Sequence, residues 1–200
     1  MQTPEFFEAV PPIIVVDPLA EFLGAAADGL LEYRYVDVVK AAGHSCPTVA
    51  GAWLMTRKAL GHLYPDSLPR RGEIRVELRR SLDDGVNGVV GAVAGFITGA
   101  ANEGGFKGLG ARFSRQGLLR FGVPMAGDIR FTRLDTGATI ELAHRPQAVP
   151  RPKALADVMP PPSPEGDPAR RRAFAIAWQD WVRTLLLDHA DDPALIEVTG

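Results

Sequence analysis

GHSCPTVAGAWLMTRKALGHL, residues 43–63, holds the chain's only cysteine and its clearest helical pattern. Val49, Ala52, Trp53, Thr56, Leu60 and Leu63 recur at spacings of three and four, one face of an amphipathic helix. Proline is favoured at the first helical position, where its missing N–H is not needed. Pro47 therefore predicts the helix start and makes Cys46 the N-cap. Serine, threonine, aspartate or asparagine usually stands there, because a side-chain oxygen can accept the free amides. A cysteine in that place points to a role for its sulfur.

Outward from this helix the periodicity changes. EIRVELRR (residues 73–80) alternates Ile74, Val76 and Leu78 with charge, the pattern of a half-buried strand. Residues 85–102 carry no charge, and Gly85, Gly88, Gly91, Gly95 and Gly99 would share one helical stripe. Each glycine weakens a helix by about 1 kcal/mol relative to alanine, so close packing against another backbone must compensate. The run approaches the lower length of a membrane span, but the glycines, Asn87 and Thr98 dilute it, and it reads as a buried helix. ARFSRQGLLRF, GDIRFTRLD and GATIELAHR follow as strands, with DTG (residues 135–137) as a hairpin turn.

On the other side, Ile13–Val16 reads as a strand, and Asp17-Pro18 as the cap and first residue of a helical turn. LLEYRYVDV (residues 30–38), with Tyr33 and Tyr35 on one side, reads as a second strand or edge. Beyond Arg145, eight prolines occur up to and including Pro168, marking an extended arm that ends at a helix opened by Asp167-Pro168. Phe174, Ala177, Trp178, Trp181, Val182 and Leu185 form that helix's apolar face, which must dock on its own core or on a second protomer. Residues 169–172, ARRR, read as its solvated first turn rather than a phosphate site. The expected architecture is α+β: an antiparallel sheet covered by helices, with a proline-rich arm and a C-terminal helix. Residues 1–145 form the core, 146–168 the linker, and 169–200 the docked helix and tail.

Composition narrows the function classes. The 200 residues, 46% hydrophobic and 23% charged, suffice for one sizeable core. A net charge of −2 leaves no electrostatic footprint for nucleic acid. One cysteine excludes an intramolecular disulfide and a multi-cysteine zinc finger, which fits a reducing cytoplasm. The N-terminus lacks the basic region and apolar run of a signal peptide, and no membrane partner is expected.

His44 and Cys46 share one turn, a pairing that suits a loop chelate for zinc or a similar divalent transition metal. The same pair could instead serve as nucleophile (Cys46) and base (His44). The positive end of a helix favours a thiolate, the form needed for either role. Remaining ligands must come from elsewhere, and Asp83, Asp84, Glu103 and His144 are the candidates. His62 stands more than four turns beyond Cys46 on the same predicted helix, roughly 24 Å at 1.5 Å per residue. His189 could join only if the last helix docks over the site.

GHSCP before a helix resembles the GHxCP signature of the FmdE-like family, named after one component of formylmethanofuran dehydrogenase. The likeness runs from about Tyr33 to about Leu142 and includes RGEIRVEL, DDGVNGV and ITGAANEGGFKG. It implies an α+β core, commonly a homodimer, with a metal-binding cleft for an unknown small molecule. Carried over by position, the ligands are His44, Cys46 and the acidic residue Asp84, and Thr98 and Asn102 fall near a family T-G…N segment. Ala42 and Ser81 stand where many members carry a further histidine and cysteine, and the family's C-terminal zinc finger has no counterpart. The resemblance thus points to a divergent zinc-binding protein, an enzyme or not. The alternatives are a metal-free thiol or redox protein using Cys46, or a non-catalytic accessory subunit.

Overall fold

Asp17, the expected helix cap, also organises the first layer of the fold. The computed structural model describes residues 3–110 and 112–200. In it β1 (Ile13–Val16) pairs antiparallel with β2 (Leu30–Tyr33), and α1 (Pro18–Phe22) lies between them in sequence. The Asp17 carboxylate accepts from the amides of Leu19 (2.9 Å) and Ala20 (3.2 Å) and also meets Arg71 (2.8 Å) and Arg115 (2.7 Å). Asp17 and Arg115 are both buried. Burial pushes the Asp17 carboxyl up, but the two guanidiniums outweigh it and hold the group below its ordinary range.

The strand expected to include Tyr35 stops at Tyr33, because Arg34 and Asp37 begin a helix there. The Asp37 side chain accepts from the Arg34 amide at 2.9 Å, and α2 (Tyr35–Ala42) follows. Next comes α3 (Pro47–Leu63), starting at Pro47 as its sequence predicts. It is buried on more than the one expected face, since Ala50, Leu54, Met55 and Ala59 are enclosed as well. Then follow β3 (Ile74–Leu78), α4 (Asn87–Thr98), β4 (Leu119–Arg120), β5 (Ile129–Arg133) and β6 (Thr139–His144). The glycine-rich helix is shorter than its uncharged run. A Cβ on Gly95 would lie 2.6 Å from the Ala100 carbonyl, so the chain's own return loop makes the close approach. Of the strand expected over residues 111–121 only β4 forms, and Ala111 lies outside the described residues.

Five strands make one sheet in the order β4-β3-β5-β6-β7, where β7 is Ile196–Val198. The β3–β4 pair is parallel and the others antiparallel. Helices α3 and α4 cover one face, where Ile74, Val76, Leu78, Ile129, Phe131, Ile140 and Leu142 are buried. The opposite face carries a charge ladder, in which Arg130 bridges Glu77 and Glu141. The chain is therefore α+β. Within the proline-rich segment lies α5 (Lys153–Val158), and α6 (Pro168–Arg183) leads into a π-helical turn at Thr184–Asp188. This C-terminal part docks on its own chain: α6 packs with α3, and β7 extends the sheet at β6. No helix among the described residues is long and apolar enough to cross a membrane.

Candidate functional site

Gly43 ends α2 with a φ of 76°, a left-handed cap that turns the chain into His44 and Ser45. Cys46 is then extended (φ −151°, ψ 170°), and its carbonyl accepts the first helical bond, from Ala50, at 3.0 Å. Its side chain caps nothing, so the sulfur is not present as a substitute for serine's oxygen. His44 is exposed, with Nδ1 3.0 Å from the Ala42 carbonyl. A carbonyl only accepts, so in that bond Nδ1 carries the proton, and in the neutral imidazole Nε2 then keeps its lone pair. Ser45 is held from two sides. Its hydroxyl lies 3.1 Å from the Tyr35 hydroxyl, and its carbonyl accepts from Trp178 Nε1 and Gln179 Nε2, both at 3.1 Å. Tyr35 is enclosed, and burial raises its phenol above the usual range.

Two cavities flank the start of α3. One, about 330 Å³, has Cys46 on its wall beneath Arg151, Met159, Trp178 and Trp181. The other, about 400 Å³, is lined by Arg80, Asp84, Asn87, Asp128 and His144. Pro47 and Thr48 border both, so the first turn of α3 stands between Cys46 and Asp84. Asp84 is exposed and pairs with Arg80 at 3.6 Å. The structure thus keeps His44 and Cys46 on one loop and places Asp84 in the neighbouring cavity. Among the described residues, no group of three or more His, Cys, Asp or Glu side chains could hold a metal ion.

The second cavity is organised by His144, only one of several candidates in the sequence. Alternation along β6 puts His144 on the same face as Ile140 and Leu142, toward the helices. Its imidazole lies against Gly51 of α3, where a Cβ would come within 2.3 to 2.6 Å of Cε1, Nδ1 and Nε2. Burial lowers its pKa to about 4; Asp128 opposes that shift and Arg145 adds to it. The ring is neutral at pH 7, and Nε2 is buried without a partner. Asp128 accepts from the His144 amide (3.1 Å) and is paired with Arg79 (2.8 Å) and Arg145 (3.1 Å). Asn87 Nδ2 donates to the carbonyls of Arg80 (2.7 Å) and Ser81 (3.0 Å), which shapes the turn carrying Asp84.

The remaining candidates lie elsewhere. Glu103 and Asn102 line a third cavity beside Leu119 and Phe121. Thr98 is buried, and its hydroxyl donates to the Ala94 carbonyl at 2.7 Å, a helix-end contact. Asp83 is exposed, as is His62 in the last turn of α3. His189 Nδ1 lies 2.9 Å from Asp192. Comparison with protein-family models, with curated proteins and with solved structures finds no match to this chain.

Proposed function

We propose that this chain is a metal-binding protein of the FmdE-like kind, holding zinc or a similar divalent ion through His44 and Cys46. The observation that carries this reading is the bond between His44 Nδ1 and the Ala42 carbonyl. Metal-binding histidines commonly donate their second ring N–H to such an acceptor, which fixes the tautomer and leaves the other nitrogen free to coordinate. The donor pair fits a borderline metal; Asp84 does not join it. The other coordination positions fall to water, to a small molecule, or to a second copy of the chain. A zinc ion with an open position supplies Lewis acidity and acidifies bound water. The chain's own part is to orient His44 through Ala42 and to hold Ser45 between Tyr35 and the tryptophan helix. The lone thiol suits a reducing compartment, and we place the protein in the cytoplasm.

Elemental analysis of untagged protein tests this. Wild type and Asp84→Asn should carry stoichiometric metal, or bind zinc on titration, while His44→Ala and Cys46→Ser should not. Wild type without metal that also fails to bind added zinc overturns the reading. A second reading, metal-free thiol chemistry, is favoured by the cavity that reaches Cys46. It requires metal-free protein whose Cys46 reacts with iodoacetamide faster than a free cysteine at pH 7.

A further inference from the structure

The cavity at Cys46 is roofed by the chain's own C-terminal part. The roof's two ends are fixed. Val149 is buried at one end; Val182, Leu185 and Leu186 are fully enclosed at the other, and β7 is paired into the sheet. Between them Leu155, Ala177 and Trp181 are the buried residues, and the stretch 156–176 holds none. The roof meets the loop below at a single acceptor, the Ser45 carbonyl, shared by Trp178 Nε1 and Gln179 Nε2. Around that contact Gln179 Oε1 and Trp181 Nε1 are buried with no partner. Arg151 lies over the Trp181 ring, 5.3 Å from its centroid, across the same opening. Beneath the roof lies the cavity of about 330 Å³ instead of packed side chains.

Few buried residues and a cavity in place of packed side chains are the marks of a segment that opens locally without unfolding the core. We propose that residues 150–179 form a lid over the GHSCP loop. It lifts while Val182, Leu185 and Leu186 stay enclosed and hold its C-terminal end in place. Closed, it narrows the approach to the half-buried Cys46; open, it exposes the thiol fully and frees the Ser45 carbonyl. The lid deepens the proposed function by controlling entry to the His44–Cys46 loop, and its test uses chelator-treated protein, so the two stand or fall separately.

Cys46 is the only thiol, so its modification can be followed without ambiguity. The full chain is treated with EDTA and reacted with iodoacetamide, a small reagent, and with DTNB, a bulky one. DTNB should react about tenfold or more slowly with folded than with urea-unfolded protein, and iodoacetamide should be slowed less. Replacing both donors while keeping bulk, Trp178→Phe with Gln179→Leu, should raise the DTNB rate several-fold. Amide hydrogen exchange of the wild type should show residues 150–179 opening before α3, β5 and β6. Equal DTNB rates in folded and unfolded wild type overturn the lid. So does protection of residues 150–179 equal to that of α3, and so does a folded double variant that reacts no faster.

Discussion

Replacing Gly51 with alanine sets two effects of opposite sign against each other. In the interior of an ordinary helix the change stabilises by about 1 kcal/mol. In α3 the new Cβ would lie 2.3 Å from Cε1 and 2.4 Å from Nδ1 of His144, so the imidazole has to move. The adjoining cavity gives it room, at the cost of its packing on the helix. Overpacking of this kind costs about 1–3 kcal/mol, so Gly51→Ala should lose about 1 kcal/mol net in urea unfolding. The displaced ring should also regain water, and its pKa should climb from about 4 toward the ordinary value near 6.5. The pH dependence follows. In wild type the folded pKa lies below the unfolded one, so between the two values only the unfolded chain takes up the proton. His144 therefore costs no stability above pH 6.5, and stability falls as the pH drops from 6.5 to about 4. At about 1.4 kcal/mol per pH unit the loss is at most about 3 kcal/mol, and Gly51→Ala should flatten it. NMR titration of the ring Hε1 proton reads the pKa directly. A variant about 1 kcal/mol more stable than wild type, with His144 still titrating near pH 4, would refute the stacked geometry.

With metal removed by EDTA, Cys46→Ser should stabilise the protein by about 0.5–1 kcal/mol in thermal melts, because a hydroxyl can cap the α3 amides that the thiol leaves open; a clear loss would mean that sulfur packing outweighs the cap. Asp17→Asn takes the carboxylate from two guanidiniums, and with Arg115 buried the cost should be about 3–5 kcal/mol, read from urea midpoints. The Asp17 carboxyl sits below its ordinary pKa of 3.8, so its contribution is complete above the unfolded-state value and disappears as the pH falls through the folded one. Acid unfolding of Asp17→Asn should lack that component.

Local chemistry made much of the fold legible. Pro47 marked the start of α3, Asp17-Pro18 and Asp167-Pro168 marked α1 and α6, and alternation marked β3 and β6. Tyr33 and Tyr35 misled, because alternation across so few residues cannot be told from a strand that ends in a capping box. Strand β7 spans three residues, too few for any period, and exists because β6 offers it an open edge. At the site, sequence placed His44 and Cys46 on one loop, which depends only on neighbours. It could not show that the first turn of α3 separates Cys46 from Asp84, nor that His144 rests on Gly51. Those facts arise from contacts between segments far apart in the chain.

The position of β7 bears on how the protein is made. Strand β6 ends at His144, but the strand that pairs with its free side is Ile196–Val198, beyond the whole arm and α6. Until that last strand leaves the ribosome, β6 has unpaired amides and carbonyls available to any other chain. At about 5–20 residues per second the nascent protein therefore passes through an interval of seconds in which β6 is exposed to aggregation, which a chaperone or a slower supply of chains would relieve. Removing the residues after α6 would make that interval permanent.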